Sequence, residues 1–396
     1  MTFSSLGLSN NIDSAVSELG FSKPTHIQQQ AIPIILAGHN LIAAAQTGTG
    51  KTAAFALPIL EQLSGSQTLR KKRARALILV PTRELANQVN SDLQAFAKHS
   101  ELRSAAIYGG VEYGPQKQAL IDGLDVLVAT PGRLIDLFDQ KAIRFDELQT
   151  LVLDEADRML DMGFIDDINK VFDRIEQSVQ CLLFSATLSN PVRALARNAI
   201  ESPKEISITK HSASKAQISQ WLVTVDKDTK SALLSHLLKS HDWQKVLIFI
   251  ETKQGAAKLV SQLEKRGIMA DCIHSGRNQA ARERVLDTFV NGDLPYLVAT
   301  GVAARGIDIE GLPCVINYDL PYPADNYVHR IGRTGRAEQT GEAVSLLSKD
   351  DFKNLCMIES RLGHLIERRV IEGFEPRKPV PISILNYVPK SKRSAK

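Results

Sequence analysis

Two short stretches of this chain carry residue types at spacings suited to phosphate chemistry. Gln46-Thr47-Gly48-Thr49-Gly50-Lys51-Thr52 follows the apolar run Leu41 to Ala45. A glycine-rich turn ending in Lys-Thr offers backbone N–H groups and an ammonium to phosphate oxygens, and the threonine hydroxyl can ligate Mg²⁺. Asp154-Glu155-Ala156-Asp157 closes a second apolar run, Thr150-Leu151-Val152-Leu153. Acid groups there would complete the metal site and hold an attacking water. Taken alone, those acids read better as the N-cap of a helix from Arg158 to Met162. The phosphate loop tips the balance, because α/β sheets bind ligands at the carboxyl ends of their strands. Ala45 stands where the general P-loop pattern has glycine. The context is still right: a strand precedes the loop, and a helical pattern from Lys51 to Leu63 puts phosphates at the positive end of a helix.

Arginines form a third element. In His329-Arg330-Ile331-Gly332-Arg333-Thr334-Gly335-Arg336, Arg333 and Arg336 are spaced i, i+3 and face the same way on a helical turn. Such a pair either covers an acidic groove or supplies arginine fingers, which stabilise charge on a γ-phosphoryl group by roughly a thousandfold or more in rate. They lie too far along the chain for the first sheet, so as fingers they make hydrolysis conditional on domain closure.

The elements that position these residues alternate between short apolar runs and longer segments of helical period. Strands are predicted at 40–45, 76–80, 104–108, 125–129, 150–153 and 180–184, then at 218–225, 245–250, 269–273, 296–299, 314–318 and 342–347. Runs apolar along their whole length, separated by helix-patterned segments, indicate parallel strands buried on both faces. A chain of 396 residues with 43% hydrophobic content exceeds one ordinary core, so two such domains are expected. Lys204 to Gln217 loses the apolar pattern and reads as the hinge, with residues 208–217 as the linker proper. The domains are then 1–207 and 218–370, followed by a basic, extended, mobile tail over 371–396. That tail reads as solubilising or as a weak nucleic-acid tether. The cluster Arg70-Lys71-Lys72-Arg73 with Arg75 reads as a solvated loop.

The net charge of +4 neither demands nor excludes a polyanionic partner. Cys181, Cys272, Cys314 and Cys356 are widely spaced, which argues against a disulfide framework or structural metal and fits a reducing cytoplasm. The N-terminus lacks a signal-peptide pattern, and no apolar stretch approaches the ~20 residues that span a bilayer. A cytoplasmic protein without membrane association is expected.

With these motifs in hand, the chain over about residues 1–370 resembles the DEAD-box RNA helicases. The motifs occur in the family's order: Phe21 to Gln28, Ala45 to Thr52, Pro81 to Leu85, Gly109-Gly110, Thr130 to Arg133, Asp154 to Asp157 and Ser185-Ala186-Thr187. Leu247-Ile248-Phe249, His274 to Arg282, Ala299 to Asp308 and His329 to Arg336 follow. The resemblance implies an α/β fold of two tandem RecA-like parallel-sheet domains with a cleft between them. It implies ATP and Mg²⁺ as cofactors, RNA as partner, and a monomer with ribosome-assembly or RNA-decay proteins as further company.

It also implies roles. Phe21 would stack on adenine and Gln28 would read its edge; Gln46, Thr47, Gly48, Thr49, Gly50, Lys51 and Thr52 would hold phosphates. Thr52 and Asp154 would hold Mg²⁺, largely through water, and Asp308 would contact ribose. Glu155 would orient and deprotonate the attacking water, with Lys51, Arg333 and Arg336 as its catalytic partners. Asp157, Ser185, Thr187 and His329 would couple nucleotide state to closure. Thr82, Arg83, Gly110, Thr130, Arg133, Thr252, Gln279, Arg282 and Thr300 match positions that touch the RNA backbone. Small hydroxyls, glycine N–H groups and single arginines suit phosphate contacts and carry no base readout. RNA preference would come from 2′-hydroxyl contacts. Taken residue by residue, the threonines and glycines are equally readable as helix caps and turns.

Gly301 stands where the family has aspartate, Ser275 replaces a common glycine and His26 a common proline. The expected activity is an RNA-stimulated ATPase that clamps single strands and locally melts short duplexes. The alternatives are an ATPase acting mainly as clamp or scaffold and a DNA translocase on the same two-domain core. A catalytically dead binding module is disfavoured by the presence of Lys51, Glu155, Arg333 and Arg336.

Overall fold

In the computed structural model, which describes residues 2–45, 48–65, 70–208, 218–301, 303, 309, 311–335 and 340–385, fourteen strands assemble into two seven-stranded, wholly parallel sheets. The chain divides into two units at residue 211. Unit 1 holds β1 (Leu41–Ala44), β2 (Ala74–Leu79), β3 (Ser104–Ile107), β4 (Leu124–Ala129), β5 (Thr150–Leu153), β6 (Gln180–Ser185) and β7 (Lys204–Ser207), in the order β3-β4-β2-β5-β6-β1-β7. Unit 2 holds β8 (Ile218–Thr224), β9 (Val246–Ile250), β10 (Ala270–Ile273), β11 (Tyr296–Thr300), β12 (Cys314–Asn317), β13 (Gly341–Leu347) and β14 (Glu367–Arg369), in the order β10-β11-β9-β12-β13-β8-β14. Strand for strand, the two orders are the same.

The strands are apolar throughout because both faces are covered. On β2, Ala76 and Ile78 enter a layer shared with the helices His26–Leu36, Lys51–Leu63 and Arg83–Phe96. Leu77 and Leu79 enter the opposite layer, with Pro131–Asp139, Ile165–Phe172 and Asn190–Ala199. Unit 2 repeats the alternation: Trp221 and Val223 of β8 face one layer and Leu222 the other. Each buried aliphatic side chain contributes about 1.5–3 kcal/mol relative to exposure. All four cysteines are buried and unpaired. Among the described residues, no helix is long and apolar enough to cross a membrane.

Near one edge of the second sheet, Glu342 on β13 accepts from both indoles, Trp221 Nε1 at 3.3 Å and Trp243 Nε1 at 2.7 Å. His241 stacks on the Trp243 ring at 4.2 Å, and the Arg369 guanidinium lies 4.7 Å over Trp221.

Three sequence expectations change. Lys204 to Ser207 is not hinge but the edge strand β7, paired to β1; β14 likewise adds an edge that no apolar run announces. Arg75 is not in a solvated loop: it sits in β2, buried, in an ion pair with buried Asp125. Its Nε donates to Asp125 Oδ1 at 3.0 Å and its Nη1 to the Leu63 carbonyl at 3.0 Å. Arg70 and Arg73 from the same cluster pair with Glu147 and Asp146. Residues 371–385 are irregular but held, contrary to the expectation of an extended, mobile tail. Arg377 bonds Asp226 and Asp228 at 2.7 Å, Arg368 donates to the carbonyls of Val380 and Pro381, and Val380 is buried. Residues 209–217 of the expected linker 208–217, and the tail beyond 385, lie outside the described residues.

The Arg75–Asp125 pair joins β2, β4 and the end of the helix Lys51–Leu63, and Asp125 Oδ2 also accepts from the Arg103 N–H at 2.7 Å. Asp125→Ala strands a buried guanidinium and should cost about 3–5 kcal/mol. In urea, followed by far-ultraviolet circular dichroism, the unit 1 transition should move to lower denaturant, and Arg75→Met/Asp125→Leu should recover most of the loss. Wild-type unfolding in the single variant would refute this account.

Candidate active site and nucleic-acid face

Every phosphate-chemistry residue described in unit 1 leaves the sheet at the carboxyl end of one of three neighbouring strands. The glycine loop follows β1, the acidic sequence follows β5, and Ser185 to Thr187 follow β6, in the contiguous order β5-β6-β1. Gly48 and Gly50 have φ of 74° and 85°, the left-handed region that glycine enters without steric cost. Gly50 caps the helix Lys51–Leu63, so its free N–H end faces the site.

The loop is braced from the side. Gln28 is fully buried; its Oε1 accepts from the Thr25 N–H at 2.8 Å, and its Nε2 donates to the Gly50 carbonyl at 3.1 Å. Thr25 Oγ1 donates to the Thr49 carbonyl at 2.8 Å. A Cβ on Gly50 would overlap Gln28 Nε2, and its φ of 85° disfavours any side chain, so the position favours glycine. Gln28 therefore holds the phosphate loop, besides any contact with adenine. Phe21 is 41% exposed and walls an open pocket of about 410 Å³ together with Phe3, Gly20 and Ser22.

Lys51 is buried, and its Nζ has no hydrogen-bond partner. A buried ammonium without acceptors is costly, and an anionic phosphate would satisfy it; the residues present therefore fit a nucleoside triphosphate. Asp154 is also buried. Loss of hydration raises its pKa to about 6, against the pull of Lys51 and with the repulsion of Glu155 adding to the rise. Its Oδ1 accepts from the Glu155 N–H at 2.9 Å. A divalent cation would remove that penalty by favouring the carboxylate.

Glu155 takes φ 52°, an uncommon conformation for a residue with a side chain. Its carboxylate is held by Arg158 Nη1 at 2.8 Å, both groups being buried. Sequence reasoning assigned Arg158 only a helix start, although its i, i+3 spacing from Glu155 was a usable signal. Asp157 Oδ2 accepts from both the N–H and the Oγ1 of Thr187, at 3.0 and 3.1 Å. Ser185 Oγ donates to the Thr187 carbonyl at 2.7 Å. The acidic sequence on β5 is thus tied to the loop after β6. His329, the fourth expected member of that set, lies in unit 2 on the helix Asp325–Ile331.

The other half of each carboxyl edge carries the expected RNA contacts. Thr82, Gly110 and Thr130 follow the adjacent strands β2, β3 and β4. Thr82 caps its helix, accepting from the Leu85 N–H at 3.3 Å, as its bland reading foresaw. Arg83 packs so closely on Gly110 that a Cβ there would overlap its guanidinium. Arg133 is buried: it donates to Gln116 Oε1 and to the Val111 carbonyl and lies 3.9 Å over the Tyr113 ring. It organises the loop after β3, a role the sequence did not suggest.

In unit 2, Thr252 caps the helix after β9, Thr300 ends β11, and Gln279 and Arg282 are buried in the helix after β10. Burial lowers the pKa of His274, and the positive charges of Arg277, Lys253 and Arg282 lower it further, the signature of a cationic edge.

Arg333 is buried just beyond the helix Asp325–Ile331. Arg330 donates to the Asp319 carbonyl at 2.8 Å and to Asn317 Oδ1 at 3.3 Å, and a Cβ on Gly301 would lie 3.2 Å from it. These two oxygens and the Phe249 ring, 4.8 Å away, help to hold the Arg330 guanidinium beside Gly301. Gln46, Thr47, Asp308 and Arg336 lie outside the described residues.

Comparison with known proteins accounts for this arrangement. The DEAD/DEAH box helicase family model matches residues 25–195, and that of the helicase conserved C-terminal domain matches residues 229–338. The RNA helicase CrhR of Synechocystis sp. is 40% identical over 92% of this chain and 74% of its own. The DEAD-box ATP-dependent RNA helicase RhpA of Helicobacter pylori is 38% identical over 92% of this chain and 73% of its own. Among solved structures, S. cerevisiae Dbp5 bound to RNA and ADP BeF3 superposes with a TM-score of 0.82 at 32% identity, covering 93% of this chain and 95% of that one. A DEAD box protein from Methanococcus jannaschii superposes at 0.54 with 37% identity, covering 93% of this chain and 99% of that one. The chain belongs to the DEAD-box family of ATP-dependent RNA helicases, which hydrolyse ATP.

Because Asp154 has its folded pKa raised from 3.8 to about 6, the nucleotide-free folded state binds more protons than the unfolded chain between those values. Its contribution to stability is therefore full below pH 3.8 and lost as pH rises through about 6. Relative to wild type, Asp154→Asn should gain thermal stability across that window and keep the gain at pH 7–8. Parallel melting curves for the two proteins would show that Asp154 is not strained by burial.

Proposed function

We propose that this chain clamps single-stranded RNA and uses RNA-stimulated ATP hydrolysis to melt short duplexes or remodel RNA-protein complexes. The observation that carries the proposal is the partition of each carboxyl edge. One set of three adjacent strands in unit 1 bears the phosphate and acid residues, and the neighbouring set bears hydroxyls, glycine and arginine suited to a phosphate backbone.

In this reading residues 1–207 bind ATP and residues 218–370 supply the fingers. The Gly48 to Lys51 loop and the Lys51 ammonium hold the phosphates. Mg²⁺, bound with the nucleotide through Thr52 and Asp154, would neutralise charge on the phosphate oxygens. Glu155, fixed by Arg158, takes the proton of the attacking water. Arg333 and Arg336 stabilise the charge that builds on the transferred phosphoryl group, so turnover waits on domain closure, which RNA promotes.

The Thr187–Asp157 bond links the acid sequence to the loop after β6 and is the local element through which nucleotide state would be felt. Gln28 secures the loop and presents an amide matched to adenine, and Phe21 offers its exposed ring for stacking. Asp308 would contact the ribose. RNA is gripped by Thr82, Arg83, Gly110 and Thr130, with Thr252, Gln279, Arg282 and Thr300 in unit 2, while Arg133 shapes the loop beside them. The contacts are to sugar and phosphate, so affinity should be insensitive to base sequence and fall with salt. Each base-pair step is worth about 1–2 kcal/mol, so melting a few pairs is within the reach of binding energy.

Steady-state ATP hydrolysis should rise strongly with single-stranded RNA and little with DNA of the same sequence. Glu155→Gln should lower the stimulated rate by about a hundredfold or more while ATP still binds. Equal stimulation by DNA would favour a translocase, and a rate indifferent to both would sink the proposal. Independently, RNA binding should raise the His274 pKa, since added phosphates favour the imidazolium against Arg277, Lys253 and Arg282. An unmoved imidazole titration, followed by NMR, would place the RNA elsewhere.

A further inference from the structure

On the other side of β1 from the helix Lys51–Leu63, unit 1 contains a pocket of about 300 Å³ that none of the chemistry above uses. Ile42 of β1 and Leu188 line it, with Ala196 and Ile200 contributed by the helix Asn190–Ala199 and its end. Pro203, Glu205 of the edge strand β7 and two arginines, Arg193 and Arg197, complete the lining. The volume is about twice that of a 150 Å³ apolar cavity known to bind a benzene-sized molecule, and it reaches the lower end of the roughly 300–1,000 Å³ typical of ligand pockets.

Its charges are unequal. Arg193 Nη1 meets both oxygens of Glu205, at 3.2 and 3.4 Å, which neutralises that pair. Arg197 makes no ion pair among the described residues. Its place in the last turn of its helix suits the negative end of the helix dipole. That explains the choice of a cation but not the apolar space beside it, whose walls forgo dispersion contacts while unfilled.

The pocket adjoins the candidate catalytic residues in two ways. Leu188 follows Thr187 directly, and Thr187 holds Asp157 through two hydrogen bonds. The helix Asn190–Ala199 also packs on the helix Ala156–Asp161 that carries Asp157.

We infer that this pocket is a regulatory site for a small amphipathic monocarboxylate of medium chain length, whose tail fills the space between Ile42, Leu188 and Ile200 and whose head group pairs with Arg197. One cation without an ion pair beside an apolar cavity suits one anionic head on an apolar body. Occupancy fixes Leu188 and the helix behind it, which stiffens the Thr187–Asp157 connection and lowers RNA-stimulated turnover. The regulatory half of the inference rests on the helicase reading; the binding half does not.

The test uses the full chain with decanoate as probe and decanol as neutral control. In methyl NMR, decanoate should shift Ile42 and Ile200 saturably. Arg197→Gln should weaken decanoate by about tenfold, the loss expected for one charge-assisted contact, and decanol should bind wild type as weakly. Saturating decanoate should reduce the RNA-stimulated ATPase rate several-fold in wild type and leave Arg197→Gln unaffected. Ala196→Phe, which fills the pocket, should abolish binding; if it does not fold, the surface variant Arg197→Gln still decides.

Absence of saturable shifts overturns the site. Equal binding of decanol, or undiminished binding to Arg197→Gln, overturns the anionic class. Binding with an unchanged RNA-stimulated rate overturns the link through Leu188. An enzyme inactive with RNA would refute the helicase proposal while leaving the binding measurement intact.

Discussion

A parallel strand covered on both faces has no main-chain polar group to spare until it ends. Its N–H and C=O groups must pair within the sheet, because burial without a partner costs each of them about as much as a lost hydrogen bond. Both sheets obey this constraint, and chemistry is therefore expelled to the loops at the carboxyl ends. Strand order then decides which loops are neighbours. With β5, β6 and β1 side by side, the acids, Ser185-Ala186-Thr187 and the phosphate loop converge although more than a hundred residues separate the first from the last. The same rule places Thr82, Gly110 and Thr130 together on β2, β3 and β4.

Within that frame the candidate catalytic groups are held by neighbours rather than by their own strands. Glu155 depends on Arg158, Asp157 on Thr187, and the Gly50 turn on Gln28 and Thr25. Lys51 and Asp154 are the exceptions, one without a bonded partner and the other pushed toward protonation. Opposite charges left this poorly solvated are a poor arrangement for stability and a good one for receiving a nucleotide with its metal, which would satisfy both groups at once.

Most of the scaffold was legible in the sequence because central strands are apolar along their length; twelve of the fourteen coincide with predicted runs. The two that escaped are edge strands. β7 is Lys-Glu-Ile-Ser with only Ile206 buried, and β14 is Glu-Arg-Arg. Charged edges discourage pairing with other chains, and that same charge erases the apolar signal. The site was legible where chemistry dictates residue type, as in the glycine loop and the acids. It was opaque where function lies in support. Gln28 as a brace was half visible, since Thr25-x-x-Gln28 is a capping-box pattern, but its bond to Gly50 spans 22 positions. The family resemblance casts Arg133 as an RNA contact, and the fold adds Gln116 and Tyr113 around it, which the sequence does not show.

The carboxylate of Glu342 has a spectroscopic consequence. The chain has two tryptophans, and both donate their indole N–H to this one residue. All indole emission from the protein therefore originates in unit 2, from two rings that share an acceptor and flank one imidazole. Unit 1, with the phosphate loop and the acids, is dark at those wavelengths. A change in emission colour reports events near β8 and β13, and a single tryptophan placed in unit 1 would be read against a background confined to the other unit.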